Sequence, residues 1–155
     1  MTSLFANQRE TNLASTVALV EQALLLLGHA PAASQITEPG ATHSWRIVTG
    51  SAVTRVTVVH RREFPYLRVS AVVMTLDATV DRAALFAHLL ELNASLCGAA
   101  FATDGDQVLL LSERSTLDLD HSEVHDMIQR VTIYADEHDD VLVARFGGRM
   151  GARPT

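Results

Sequence analysis

Lysine is absent from this chain of 155 residues, and all twelve of its basic residues are arginine. Its absence excludes Schiff-base catalysis and the lysine of a phosphate-binding P-loop. The sequence also lacks the Gly-x-Gly-x-x-Gly and Gly-x-x-x-x-Gly-Lys motifs, which disfavours nucleotide binding through the common phosphate loops. It contains no Gly-x-Ser-x-Gly elbow, and no histidine lies close in sequence to its one cysteine, so nucleophilic catalysis has little support.

Cysteine and long apolar runs are scarce as well. The only cysteine, Cys97, cannot form an intrachain disulfide, which fits a reducing compartment, and we expect it to be a small buried side chain. The longest nearly apolar stretch, Val17–Leu27, is interrupted by Glu21 and is shorter than the ~20 residues that span a bilayer. Met1–Glu10 does not resemble a secretory signal. We therefore expect a cytoplasmic protein with no membrane partner.

Composition points to one packed domain. Hydrophobic residues make up 48% of the chain and charged residues 19%, which excludes an intrinsically disordered protein. The formal net charge of −6 disfavours nucleic acid as a partner. We expect a single domain over residues 1–148 and a short flexible tail over residues 149–155.

The hydrophobic pattern predicts an α+β fold. Apolar residues at three- and four-residue spacing predict helices, and alternating β-branched residues predict strands. Short connections between the first three strands require an antiparallel meander, and Asp104–Gly105 is a strong hairpin signal. The predicted order is helix Asn12–Leu27, a short extended piece at Gln35–Thr37, strands Ser44–Thr49, Val53–Arg61 and Tyr66–Leu76, helix Asp81–Leu96, a β-hairpin over Ala100–Ser112, and a long C-terminal helix from Asp120 to Gly147–Gly148.

The last helix carries a continuous apolar stripe over ~27 residues, or ~40 Å. Asp120 and Glu123 form a capping-box pattern at its start. Because such a helix is longer than one small domain easily covers, we predict a homodimer with Leu142 and Phe146 in its interface.

Charge is divided unevenly along the chain. His43–Ser70 contains five arginines and one acid, a net charge of +4, whereas Asp77–Asp140 contains fourteen acids and three arginines, a net charge of −11. Strand alternation places several of these arginines on one outer face of the sheet with apolar side chains, and Arg, Tyr and Met are enriched at protein interfaces. The alternative is an ordinary solvated sheet face. The predicted binding residues are Arg46, Arg55, Tyr66, Arg68 and Met74.

Histidines give only weak metal signals. His121 and His125 are four residues apart on a predicted helix, but Glu123 between them does not match the zincin order, and further ligands are not evident. We expect these to be solvated helix residues, with a weak metal site as the alternative. His138 is expected to be partly buried and hydrogen-bonded to a neighbour. We predict no metal, no cofactor and no catalytic residue.

The C-terminal half resembles a known family. The residues that carry the resemblance are Leu89-Leu-Glu-Leu-Asn-Ala94, Phe101-Ala-Thr-Asp-Gly-Asp106, Val108-Leu-Leu-Leu-Ser112, Ala135-Asp-Glu-His-Asp-Asp140 and Arg145-Phe-Gly-Gly148. Over Asp81–Gly148 they resemble the YbjN-like family, within the type III secretion chaperone fold; the N-terminal half matches only in element order. The resemblance implies a bacterial, cytoplasmic, usually dimeric protein that is not an enzyme.

Function follows from that resemblance. It implies a chaperone-like protein that holds an extended segment of a client protein or peptide. A signalling or stress regulator, acting through a small molecule or a protein contact, is the alternative, and a metal-dependent protein or enzyme is a third hypothesis.

Overall fold

Two layers build the structure: an antiparallel sheet, and helices that cover one of its faces. A computed structural model of the chain describes residues 3–61 and 64–151. The elements are α1 Ser3–Leu26, α2 Pro31–Ser34, β1 Gln35–Ile36, β2 Ala41–Thr49, β3 Ala52–Arg61, β4 Phe64–Thr75, α3 Arg82–Asn93, β5 Ala100–Asp104, β6 Gln107–Ser115, α4 His121–Phe146 and β7 Arg149–Met150. The predicted α+β order is confirmed, and α2 and β7 are additional elements.

The sheet has the strand order β1-β2-β3-β4-β6-β5, and β7 pairs with one end of β4. Every pair is antiparallel, so the predicted β2–β3–β4 meander and β5–β6 hairpin are confirmed. Gly50 and Ser51 connect β2 to β3, as predicted, and Gly50 adopts a φ of +59°. Arg62 and Glu63, predicted to form the next turn, lie outside the described residues.

The inner face of the sheet and the helices share one core. Alternate residues of β2, β3 and β4 point inward and lose nearly all solvent contact, and burial of each such side chain contributes roughly 1.5–3 kcal/mol. The core residues include Trp45, Ile47, Val56, Val58, Leu67 and Val69 from the sheet, and Val20, Leu24, Leu85, Leu89, Val124, Ile128 and Val131 from the helices. In residues 3–61 and 64–151, no helix combines the length and apolar character that a bilayer crossing needs.

Helix starts follow the sequence signals at α3 and α4 but not at α1. Asp120 and Glu123 form the predicted capping box of α4, and the Asp81 carboxylate caps α3. Asn12, predicted to lie at the start of the first helix, is inside α1. Its amide nitrogen instead donates to the carbonyl oxygen of Thr116 at 3.1 Å, and the Thr116 hydroxyl donates to its amide oxygen at 2.7 Å. These contacts attach α1 to the segment after β6.

Two predicted site residues belong to the core. Met74 is fully buried, so its predicted place on the outer face is wrong. The cause is a register shift between Val72 and Met74 in the β4–β6 pairing, after which Val73 and Met74 are both buried. Leu142 is 1% exposed and packs within its own chain, so its predicted place in a dimer interface is also wrong. Phe146 is half-buried beside His88, with ring centroids 5.4 Å apart.

Two smaller predictions also fail. Cys97 is exposed because α3 ends at Asn93 and the chain has left the helix before reaching it. Arg149–Met150 pairs with Met74–Thr75 as β7, so the predicted flexible tail is wrong for these two residues. Gly148 makes this pairing feasible: its φ is +78°, and a Cβ atom there would lie 2.8 Å from the carbonyl oxygen of Thr75.

Candidate functional site

The sheet face opposite the core is the candidate functional site. We call it the outer face. It carries Ser44, Arg46 and Val48 of β2, Val53, Arg55, Thr57 and Val59 of β3, Tyr66, Arg68, Ser70 and Val72 of β4, and Leu109, Leu111 and Glu113 of β6. Within the described part of the chain, the large helices contribute their buried side chains to the opposite side of the sheet. The helices therefore leave the outer face uncovered, although Ser44, Val53 and Thr57 are buried among their neighbours.

A groove of about 500 Å³ lies on the outer face. It extends from the segment Glu38–Ala41 across β3 and β4 to Leu109 of β6 and Asp104 of β5. Its floor mixes arginine with valine and leucine, so it offers both charged and apolar contacts. Its lining on β3 extends from Val53 to Arg61, so an elongated ligand can lie in the groove along the strands as well as across them.

One end of the outer face holds a closed charge cluster. Arg61 donates two hydrogen bonds to the Glu113 carboxylate, both 3.1 Å long, and Arg68 donates a third at 2.9 Å. The hydrogen bonds from Arg61 lower the pKa of Glu113 below its ordinary value, and Arg68 adds to the effect although partial burial opposes it. The same contacts raise the pKa of Arg61. We call these three residues the Glu113 cluster.

A second pair of arginines makes fewer hydrogen bonds. Arg46 and Arg55 lie directly opposite each other on β2 and β3. The Arg55 Nε atom lies 3.0 Å from a carboxylate oxygen of Glu38, and the Arg55 side chain is 46% exposed. Among residues 3–61 and 64–151, Arg46 has no ion pair or side-chain hydrogen bond. Like charges placed opposite each other on neighbouring strands repel, so this pair favours binding of an anion.

Apolar side chains lie next to this arginine pair. Val48 and Val53 are opposite each other, two residues after Arg46 on β2 and two residues before Arg55 on β3. Val72 and Leu109 form the corresponding pair on β4 and β6, and together with Val53 they line the groove. The outer face therefore presents a short apolar row beside a row that contains two arginines.

Four of the five predicted binding residues share the outer face: Arg46, Arg55, Tyr66 and Arg68. The sequence reasoning missed Glu38 and Glu113, because the contacts of both depend on long-range pairing. The outer face is consequently less basic than predicted. Four arginines, counting Arg61, stand against Glu38, Glu113 and the nearby Asp104, which leaves a net charge of +1. Arg62, counted in the sequence-based charge of +4, lies outside the described residues.

The predicted histidine sites lie elsewhere. His121 and His125 are both in the first turns of α4, and His125 Nδ1 is 3.7 Å from Asp126. In the described ranges, no group of three or more His, Cys, Asp or Glu side chains is arranged to hold a metal ion. His138 is partly buried with its Nδ1 atom 2.8 Å from the carbonyl oxygen of Tyr134, as predicted.

The outer strand β5 has an edge that is partly occupied by a side chain. Asn93, at the end of α3, accepts a hydrogen bond from the Phe101 N–H at 2.7 Å and donates to the Phe101 carbonyl oxygen at 3.2 Å. The amide side chain thus takes both backbone groups that a further strand would need at this position. Strand addition at β5 is therefore hindered near Phe101, which leaves the outer face as the more accessible surface.

Solved structures share this fold at low sequence identity. A chain of the ExsC–ExsE complex matches with a TM-score of 0.58 and 13% identity, covering 83% of this chain and 94% of that chain. A chain of the HopA1–SchA chaperone–effector complex matches with a TM-score of 0.58 and 12% identity, covering 84% and 97%. A chain of the ExoT–SpcS complex from Pseudomonas aeruginosa matches with a TM-score of 0.50 and 17% identity, covering 79% and 95%.

The sequence itself also matches a family model. No curated protein matches this chain. Residues 14–153 match the model TY-Chap1, described as the type III secretion system (YopN, CesT) and YbjN peptide-binding chaperone 1. This match covers most of the N-terminal half as well, which the sequence motifs did not. The resemblance predicted from the motifs is confirmed, and the chain belongs to the TY-Chap1 family of peptide-binding chaperones.

Proposed function

We propose that this chain is a non-enzymatic, cytoplasmic, chaperone-like protein that holds an extended segment of a client protein on the outer face of its sheet. One observation carries the proposal: a sheet face that the described helices leave uncovered bears a groove of about 500 Å³ with both arginine and apolar side chains. Apolar contacts would supply affinity, and the arginines would select carboxylates. Membership in a peptide-binding chaperone family supports this interpretation.

Site-directed photo-crosslinking tests which surface binds peptides. A photoreactive residue replaces Tyr66 on the outer face in one variant and Ile133, an exposed position on α4, in the other. Each purified variant is exposed to dodecapeptides selected from a random library on the wild-type protein. We expect crosslinks from position 66 and none from position 133. Crosslinks only from position 133 would assign binding to the helix layer, and failure to select any peptide would contradict a peptide-binding function.

We also propose a homodimer, with its interface in the helix layer rather than at Leu142. Exposed large apolar side chains support this proposal. Leu25 and Leu26 are neighbours and are 62% and 65% exposed, and covering them in an interface would remove apolar surface from water. Light scattering at tens of micromolar protein is expected to give twice the chain mass of 16.8 kDa. A mass equal to one chain would contradict the dimer.

A further inference from the structure

The two groups of arginines on the outer face have one glutamate each and the same net charge, but they differ in how many hydrogen bonds join the arginines to that glutamate. In the Glu113 cluster, three hydrogen bonds from Arg61 and Arg68 converge on one carboxylate, and the Glu113 side chain is only 21% exposed. A ligand carboxylate could reach Arg68 only by displacing Glu113 from hydrogen bonds that already exist. The binding free energy gained by such an exchange is small, since the ligand carboxylate only replaces the carboxylate of Glu113.

The Arg46–Arg55 pair presents the opposite situation. Its two guanidinium groups start from directly opposed residues on adjacent strands, and the ion pair with Glu38 involves the Nε atom of Arg55. In the described ranges, the terminal nitrogens of Arg55 and the whole guanidinium of Arg46 have no hydrogen-bonding partner in the protein. A carboxylate placed between the two groups would gain charge-assisted hydrogen bonds and relieve their mutual repulsion.

The neighbouring apolar row sets a spacing for the ligand. Val48 follows Arg46 on β2 and Val53 precedes Arg55 on β3, each by two positions, a separation of about 6.7 Å along the sheet. Side chains two residues apart in an extended peptide have the same separation and point to the same side. An extended segment that runs along the strands can therefore place a carboxylate between the arginines and an apolar side chain on this row, in which Val48 is partly exposed and Val53 is 6% exposed.

We propose that Arg46 and Arg55 form the carboxylate-binding subsite of the outer face, that the Glu113 cluster takes no part in it, and that the preferred segment carries an acidic residue two positions from an apolar one. This inference rests on the proposed function and names the chemistry of its client segment.

Two matched triple variants test the subsite. One is Arg46→Gln/Arg55→Gln/Glu38→Gln, and the other is Arg61→Gln/Arg68→Gln/Glu113→Gln. Each removes two arginines and one glutamate from the outer face, so their net charges are equal and long-range electrostatics cannot distinguish them. Because each variant loses its glutamate together with both arginines, no carboxylate is left without its partners. Thermal melting verifies that both variants fold.

The probe is a fluorescent dodecapeptide that repeats Glu-Ser-Val-Ser, which places each glutamate two residues from a valine. Control peptides replace glutamate with glutamine or shift valine to a three-residue spacing. Fluorescence anisotropy at low salt measures binding to the full chain. We expect the wild type and the Glu113-cluster variant to prefer the glutamate peptide over both controls at least tenfold, and the Arg46–Arg55 variant to lose this preference.

The remaining outcomes are distinct. If the Glu113-cluster variant loses the preference and the Arg46–Arg55 variant keeps it, the subsite is wrongly assigned. If all three peptides bind the wild type equally, the inference is wrong while the proposed function stands. If none of the peptides binds while library-selected peptides crosslink at position 66, the preferred chemistry is wrong. If neither probe binds, both the proposed function and this inference fail.

Discussion

The two faces of the sheet are built from alternate residues of the same strands, yet they differ in chemistry. On β3, Val56 and Val58 point into the core and are fully buried, whereas Arg55 between Thr54 and Val56 points outward and is half-exposed. The inner face must be apolar and complementary in shape to the helices, because the helices pack against it. The outer face carries charge that the fold does not require. This division separates stability from binding at the level of single residues.

Helix contacts on the inner face leave few polar groups; the indole nitrogen of Trp45 has no hydrogen-bond partner among the described residues, and two threonines form a pair. The hydroxyl groups of Thr54 on β3 and Thr132 on α4 are 3.0 Å apart in the core. On the outer face, by contrast, the polar groups pair with each other at one end and remain accessible at the other. The four predictions below test whether the inner face supplies stability and the outer face does not.

The largest expected effect is the loss of an inner side chain. Leu142→Ala removes a side chain that is 1% exposed, and we expect the free energy of unfolding to fall by about 2–5 kcal/mol. Leu26→Ala is the matched control, since Leu26 is a helical leucine that is 65% exposed, and at protein concentrations where the chain is monomeric its effect should stay within about 0.5 kcal/mol. Urea denaturation measures both. Equal losses for the two variants would mean that Leu142 does not belong to the core.

A smaller effect is expected at the buried threonine pair. Thr132→Val leaves the Thr54 hydroxyl without its partner in the core, which should cost about 1–3 kcal/mol. The double variant Thr54→Val/Thr132→Val removes both hydroxyl groups, and we expect it to be more stable than the single variant. Urea denaturation of the full double-mutant cycle measures the coupling. Additive losses would show that the two hydroxyl groups do not interact.

The third effect depends on pH and lies on the outer face. Because the pKa of Glu113 is lowered in the folded protein, its ionised form stabilises the fold above the ordinary pKa of 4.5, and this contribution is lost as the pH falls below that value. Glu113→Gln should therefore reduce stability at pH 7 by about 0–1 kcal/mol, as for other exposed ion pairs. The difference between wild type and variant should shrink by pH 3. A difference that grows on acidification would contradict this sign.

The smallest effect is expected at the arginine pair. Arg46→Gln removes one of two opposed like charges, so the melting temperature should stay the same or rise slightly. Arg68→Gln is the comparison, because it takes one hydrogen-bond donor from Glu113 and should lower the melting temperature slightly. Differential scanning calorimetry measures the melting temperatures of both variants and of the wild type. If Arg46→Gln were clearly the more destabilising, Arg46 would have a structural role and the contrast between the faces would weaken.

The sequence by itself determined the order of the main elements and most of their ends. Strong local signals were present: the helical stripes, the Asp120–Glu123 capping box, the Asp104–Gly105 turn and the alternation of β2 and β3. Each depends on residues a few positions apart, so it can be recognised without the fold. The alternation also placed Arg46, Arg55, Tyr66 and Arg68 on one face correctly.

Only the tertiary structure decided which neighbours those residues meet. The bulge after Val72 turns Met74 inward, and the packing of α4 on the sheet buries Leu142 inside its own chain. Pairing of β6 with β4 brings Glu113 to Arg68 across 45 residues of sequence, and Asn93 reaches the edge of β5 only because α3 ends beside it. These contacts join segments that are distant along the chain, and local periodicity contains no information about which distant segments will meet. The division of the outer face into a hydrogen-bonded cluster and an open arginine pair is therefore a property of the fold and not of any one strand.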